Sequence, residues 1–337
     1  MAKLCARIGL VIAAGAFLIV AATSGPVSAQ RPNPDDPNAN AVSEQQLLQQ
    51  FNRIQGLGTI PDKKSYVIQQ PMGRVWRRYH EVWLHWIGAV AALGTLGALL
   101  VFYLVRGRVR IQSGRAGINI VRFNAFERFV HWMTATCFVI LGLSGLNIIF
   151  GKGIILPLIG PSAFSSWTLT AKYAHNFLSF PFTLGVILIF LMWLTGNIPN
   201  RVDIEWLKRG GGIVGHKHPP AYRFNAGQKG VYWLVVLGGT AMAVSGYLLM
   251  FPFYGTTIAG MQIAQVVHGA FAMLFIAAML AHIYIGTIGM EGAFEAMGVG
   301  TVDLNWAKEH HSLWLDEESA RIGPGEMQAQ PSATPAE

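Results

Sequence analysis

The chain is short of charge. Of its 337 residues only 12% are Asp, Glu, Lys or Arg, while 52% are hydrophobic; a soluble domain carries about 25% charge. So small a supply cannot cover a water-facing surface. That excludes an ordinary soluble enzyme, a disordered chain and a fibrous one. The shortage is concentrated in stretches. Residues 230–290 hold no Lys, Arg, Asp or Glu, and the same is true of 86–105, 129–151 and 173–200. A run of about 20 uncharged apolar residues is long enough to cross a bilayer core. Carboxylates are missing from these stretches, which argues against hydrolysis at a metal centre and against a proton pump or transporter. Cysteine is scarce too: there are two, Cys5 and Cys137, with no CxxC and no CxxCH. A disulfide framework, covalent c-type haem attachment and a cysteine-based zinc or iron–sulfur site are therefore excluded.

What is present reads as an all-α membrane helix bundle. Residues 1–29 have the form of a secretory signal peptide, with Lys3 and Arg7 ahead of an apolar run from Ile8 to Ala22 and a small-residue site at Val27-Ser28-Ala29. The alternative is an uncleaved first helix. Residues 30–79 form a Pro-, Asn- and Gln-rich arm that reads as periplasmic and partly disordered. Five membrane helices are expected, over about 80–105, 126–149, 172–196, 229–251 and 262–289. Loop 106–128 carries six arginines against Glu127. Loop 197–229 carries Arg201, Lys208, Arg209, Lys217, Arg223 and Lys229 against Asp203 and Glu205, and the alternate connections carry almost nothing. The positive-inside rule places the two basic loops in the cytoplasm, with the N-terminus periplasmic and the C-terminus cytoplasmic in a bacterial inner membrane. Arg74, Arg77 and Arg78 oppose that bias locally. The net charge of +8 thus concerns orientation rather than nucleic acid.

Histidine is almost the only ionisable residue inside the spans, and such residues are usually functional. His131, His175, His268 and His282 fall in expected helices. The last two are 14 residues apart, close to four full turns and about 21 Å along the axis, so they share a face at two depths. His175 matches His268 in depth, and His131 matches His282. Two imidazole pairs on facing helices are what two bis-histidine b-type haems require. Gly142, Ser144, Gly145, Ser245 and Gly246 are small enough to leave room for a macrocycle, although small residues also occur at helix contacts without one. His80 and His85 have no depth-matched partner and read as interfacial, beside Trp76, Trp83 and Trp86.

Over about residues 120–315 the chain resembles the gamma subunit of respiratory formate dehydrogenase, a dihaem cytochrome b556, in its long type with an N-terminal extension. The resemblance rests on Phe126-Glu127-Arg128-Phe129-Val130-His131-Trp132, Leu143-Ser144-Gly145, Asn197-Ile198-Pro199, Asp203-Ile204-Glu205-Trp206-Leu207, Phe224-Asn225-Ala226-Gly227-Gln228-Lys229, the His268/His282 spacing and Trp306-Ala307-Lys308-Glu309-His310-His311. It implies a four-helix dihaem core at 119–315. Read from the chain itself, one extra transmembrane helix and its cytoplasmic loop at 80–118 precede that core, and a disordered tail at 316–337 follows it. The resemblance implies that His131 and His282 bind the cytoplasmic-side haem and His175 and His268 the periplasmic-side haem, and that Asn225 and Gly227 contact a quinone. Asn225 also reads as a helix N-cap. The implied partners are a molybdenum or tungsten catalytic alpha subunit, which oxidises formate, and an iron–sulfur beta subunit. Electrons would pass from the latter through the two haems to membrane quinone. Two other readings remain open: the cytochrome b subunit of a nickel–iron hydrogenase or thiosulfate-type reductase, and a haem-free membrane anchor or transporter.

Overall fold

A computed structural model describes residues 72–212, 219–252 and 254–322. The signal peptide and most of the arm expected at 30–79 lie outside them. Five helices are long and apolar enough to cross a membrane: α1 (Gly73–Arg106), α2 (Ala125–Ile154), α3 (Leu156–Trp193), α5 (Ala226–Met250) and α6 (Ile258–Gly289). A short helix α4 (Arg201–Lys208) lies between α3 and α5. After α6 come α7 (Ala293–Gly298), α8 (Leu304–His310) and α9 (Ser312–Ile322), and a two-stranded ribbon joins β1 (Asn119–Val121) to β2 (Thr301–Asp303). The expected all-α bundle, four core helices plus one at the N-terminal side, is the observed architecture.

Local chemistry sets where the helices start. Asn124 caps α2 by accepting from Glu127 N–H, while Glu127 accepts from Asn124 N–H, both at 2.9 Å. The same reciprocal box recurs with Asn200 and Asp203 at α4 and with Asn225 and Gln228 at α5. Each box satisfies two helix N–H groups that would otherwise have no partner. Thr257 caps α6 through Gly260 N–H. Arg106 ends α1, followed by Gly107 at φ +68°.

Three expectations are corrected. The first helix begins at Gly73, inside the stretch assigned to the arm, and turns through a π-bulge at Tyr79–Trp83. Residues 156–171, read as a loop, are helical: α3 breaks at Gly160 (φ 78°) and restarts at Pro161, a residue suited to a first helical turn. Its restarted end packs on α2, where Trp167 Nε1 donates to Asn147 Oδ1 at 2.9 Å. Finally, Asp316–Ile322 belong to helix α9 rather than to a disordered tail. Trp314 and Leu315 are buried beneath the basic loops and anchor that helix. Residues 323–337 lie outside the described residues.

α1 lies outside the four-helix core, against α6. Tyr79 donates to Val266 O, and glycines permit the contact: Gly88 sits under Met273 and Phe150, and Gly269 under Leu84. At the opposite end of α1, the loops after α1 and α3 and the C-terminal segment form one cap. β1 and β2 pair antiparallel, with Ile120 opposite Val302. Asp303 accepts from Ala116 and Gly117 N–H, and Glu309 accepts from Gln112 and Ser113 N–H, both at 2.9 Å. Ile111, Phe123, Trp193, Phe224, Val302, Trp306 and Trp314 fill its core. The acidic tail thus folds onto the basic loop.

Candidate functional site: two imidazole pairs in the bundle

The four helices of the core bring four histidines together in two pairs. His131 on α2 faces His282 on α6, and His175 on α3 faces His268 on α6; ring centroids are 6.2 Å apart in both. An imidazole nitrogen lies about 1.1 Å from its ring centre and about 2.0–2.1 Å from a bound metal. Two imidazoles sharing one metal therefore stand about 6.3 Å apart. Both pairs have that separation, so each would fit a metal centre shared between its two imidazoles.

The surroundings of the second pair orient the rings. Ser144 Oγ donates to Ile140 O at 2.7 Å, leaving a lone pair for His175 Nδ1 at 2.8 Å. Ser245 repeats the arrangement one helix over, with donation to Ala241 O at 2.6 Å and His268 Nδ1 at 3.0 Å. With each hydroxyl donating to its helix carbonyl, the tautomer that fits both contacts carries its proton on Nδ1, donates it to the serine and would leave the Nε2 lone pair to bind a metal. Next to each serine is a glycine, and a Cβ there would meet the ring it supports: Gly145 at 3.6 Å from His175 Cε1, Gly246 at 3.2 Å from His268 Cε1. The sequence reading gave these small residues to the macrocycle; in the structure they seat the imidazoles. Gly142 does open space, since a Cβ there meets nothing within 4 Å. The first pair is built differently. His131 Nδ1 is buried and finds no hydrogen-bond partner among the described residues. A π-bulge at Ile285–Gly289 follows three residues after His282, a distortion common at functional sites.

Asn225 occupies the N-cap of α5, with Oδ1 accepting from Gln228 N–H at 2.9 Å. Gly227, the second residue of the helix, lies under the Trp206 indole, which a Cβ would approach to 3.1 Å. Of these two residues, expected at a quinone site, Gly227 lies against a flat aromatic ring at the capped end of the bundle, and Asn225 serves as the helix cap. His85 lies between α1 and α2, with Nε2 at 2.8 Å from Ile149 O. His80 stacks on Trp76 at 5.6 Å.

Sequence reasoning missed the buried ion network beneath the cap. Glu127, in the first turn of α2, accepts from Trp193 Nε1 at 2.7 Å and from Arg223 at 2.8 Å. Lys229 Nζ is buried against Asp203 at 2.8 Å. Arg122 is fully enclosed, its guanidinium over the faces of Phe123, Trp306 and Trp314. Burial and the nearby Arg223 charge bring Arg122 down to about 9. It donates to His311 Nε2, whose Nδ1–H donates to Tyr222 O. Burial first, and the Arg122 charge second, hold His311 well below the usual imidazole range, so it is the neutral tautomer. The sequence signal for this network was the excess of basic residues over Glu127, Asp203 and Glu205 in the two loops.

A bundle of apolar helices that carries two facing histidine pairs at metal-sharing distance belongs to the class of integral membrane haem proteins. The comparisons narrow it further. The sequence pattern of the prokaryotic cytochrome b561 family matches residues 122–300, and the chain belongs to that family. It is 31% identical over 203 residues to the formate dehydrogenase cytochrome b556(fdo) subunit of Escherichia coli K12, covering 59% of this chain and 93% of that one. It is 28% identical over 204 residues to the nitrate-inducible formate dehydrogenase cytochrome b556(Fdn) subunit of the same organism, covering 59% and 91%. It is 27% identical over 209 residues to the formate dehydrogenase cytochrome b556 subunit of Haemophilus influenzae, covering 59% and 84%. The chain is thus a membrane cytochrome b, homologous to the electron-transferring subunits of formate dehydrogenases. α1 precedes the matched family segment.

Proposed function

We propose that this chain carries electrons through two b haems to a membrane quinone as the gamma-type subunit of a formate dehydrogenase complex. His175 and His268 hold the haem that receives electrons from an iron–sulfur subunit, and His131 and His282 hold the haem that delivers them. Formate is oxidised on a separate molybdenum or tungsten subunit. The observation that carries this reading is the equal 6.2 Å spacing of the two histidine pairs. When bound, each haem would supply a one-electron carrier, with His175 and His268 or His131 and His282 as the residues that would hold it. The protein's part is to orient the rings through Ser144 and Ser245, to exclude water with apolar side chains, and to present quinone carbonyls with Asn225 and the backbone at Gly227. The basic cap is assigned to the cytoplasm, so the protons taken up with quinone reduction come from that side and the transfer separates charge across the membrane.

The test is a dithionite-reduced spectrum of the purified complex with haem counting. Two b haems per chain are expected. His268→Ala is expected to remove one and leave the other. Absence of a b-type α-band would refute the proposal, and retention of both haems in His268→Ala would refute the pairing. Co-purification with a hydrogenase in place of a formate-oxidising subunit would overturn the assignment of partner.

A further inference from the structure

Midway between the two histidine pairs, three phenylalanines meet. Phe138 is seven residues from His131, Phe182 seven from His175, and Phe275 seven from both His268 and His282. Seven residues are two helical turns, about 10.5 Å, so each ring shares a face with its histidine and points to the same central level. The structure brings them together there: Phe138 lies 5.7 Å from Phe275 and 6.4 Å from Phe182, centroid to centroid. Phe275 and Phe182 are buried, along with Cys137 and Val186. α5 closes the fourth side by having no side chain in the way. A Cβ at Gly238 would stand 2.6 Å from the Phe275 ring, and one at Gly239 would stand 2.9 Å from Val186. Slightly further toward the His131 pair, Gly185 admits Thr134 just as closely. Each core helix therefore contributes to one close-packed layer, centred on the three phenylalanine rings and holding the Cys137 thiol among apolar neighbours.

We propose that this phenylalanine layer is a septum that divides the bundle into two compartments and keeps water and protons from passing between them. The inference rests on the two-carrier reading above for its purpose. A chain that moves electrons across a membrane against a proton gradient must not let protons follow, and an aromatic layer passes one but not the other. Protons need a chain of water or polar groups, for which a close-packed apolar interior leaves no space. Electron tunnelling between carriers held at the two histidine pairs would need no such chain, and the packed rings would themselves be neither oxidised nor reduced.

Cys137, inside the layer, is a built-in reporter. A thiol must ionise to react, and ionisation needs water. The complex is reconstituted into vesicles in a Cys5→Ser background and exposed to a cationic methanethiosulfonate, which converts a thiolate to a mixed disulfide and releases sulfinate. In the wild-type layer Cys137 is expected to stay unmodified. Phe275→Ala opens a cavity at the centre and is expected to raise Cys137 modification by about an order of magnitude or more. Passive proton leak, followed with an entrapped pH dye, is expected to rise alongside it. Phe275→Leu, which refills most of the volume, is expected to restore both. Phe182→Ala provides a second opening should Phe275→Ala fail to assemble. Ready modification of wild-type Cys137 would overturn the inference. So would unreactive thiols and tight vesicles in both alanine variants while haem counts stay normal, and that result would leave the two-carrier reading intact. A haem count of zero in the wild type would instead defeat the carrier reading, whatever the thiol does.

Discussion

Replacing Ser245 by alanine tests how the protein tunes its carriers. Ser245 Oγ is committed as donor to Ala241 O, so toward His268 it can only accept, and it does so at 3.0 Å. Donation from Nδ1–H pushes electron density toward Nε2 and favours the oxidised metal. Alanine removes that hydrogen bond and leaves the Met242 backbone as the remaining polar neighbour of the ring. A net hydrogen bond is worth about 0.5–1.5 kcal/mol. If that energy is felt mainly by the oxidised state, it corresponds to about 20–65 mV for a one-electron couple, at 59 mV per tenfold change. The midpoint of the carrier held by His175 and His268 should therefore rise by that amount, and the carrier at His131 and His282 should stay in place. Ser144→Ala acts on the other ligand through its 2.8 Å contact and should produce a similar rise, so the double variant should move about twice as far. Spectroelectrochemical titration of the reduced α-band reads both couples in one experiment. No shift, a fall, or a shift of the other carrier would refute the reasoning.

Three further outcomes are expected. Gly246→Val places a branched side chain where even a Cβ comes within 3.2 Å of His268; it should abolish haem binding at that level alone, seen as loss of half the haem. Lys229→Met leaves the buried Asp203 carboxylate without its 2.8 Å partner and should cost about 3–5 kcal/mol. Thermal unfolding in detergent should show the loss, and adding Asp203→Asn should recover most of it. At Glu309, burial alone would raise the carboxyl pKa, but the Ser113 and Gln112 amides outweigh it and bring the group below 4.5. An acid held more tightly ionised in the folded chain stabilises it above the unfolded pKa and loses that contribution as pH falls through the folded one. Protection of the Gln112 and Ser113 amides, taken relative to their intrinsic exchange rates, should therefore fall only once the pH drops below the ordinary Glu range, and in Glu309→Gln it should already be low at neutral pH.

The bundle was readable in the sequence because charge withdraws from each span, and the histidine neighbours were readable because 14 residues return a helix to the same face. Other features were hidden for physical reasons. Gly153, Pro157, Gly160 and Pro161 resemble a loop, yet only Gly160 leaves helical geometry, since proline is tolerated at a helix start. Asp316–Ile322 look like a solvated acidic end, but two aromatic and aliphatic anchors at Trp314 and Leu315 hold the helix down. The phenylalanine layer gives no periodic signal in helices that are apolar on every face. Arg122 was counted with the loop charges, and nothing in its neighbourhood along the chain announces the aromatic enclosure built by the distant Trp306 and Trp314.

The central claim is that four histidines hold two haems in separate, differently tuned sites. A redox titration of the intact complex with haem counting tests it directly. The account predicts two b haems per chain, titrating as two one-electron steps, with the lower midpoint belonging to the serine-supported pair and removed by His268→Ala. One haem, none, or two haems that both survive that substitution would contradict it.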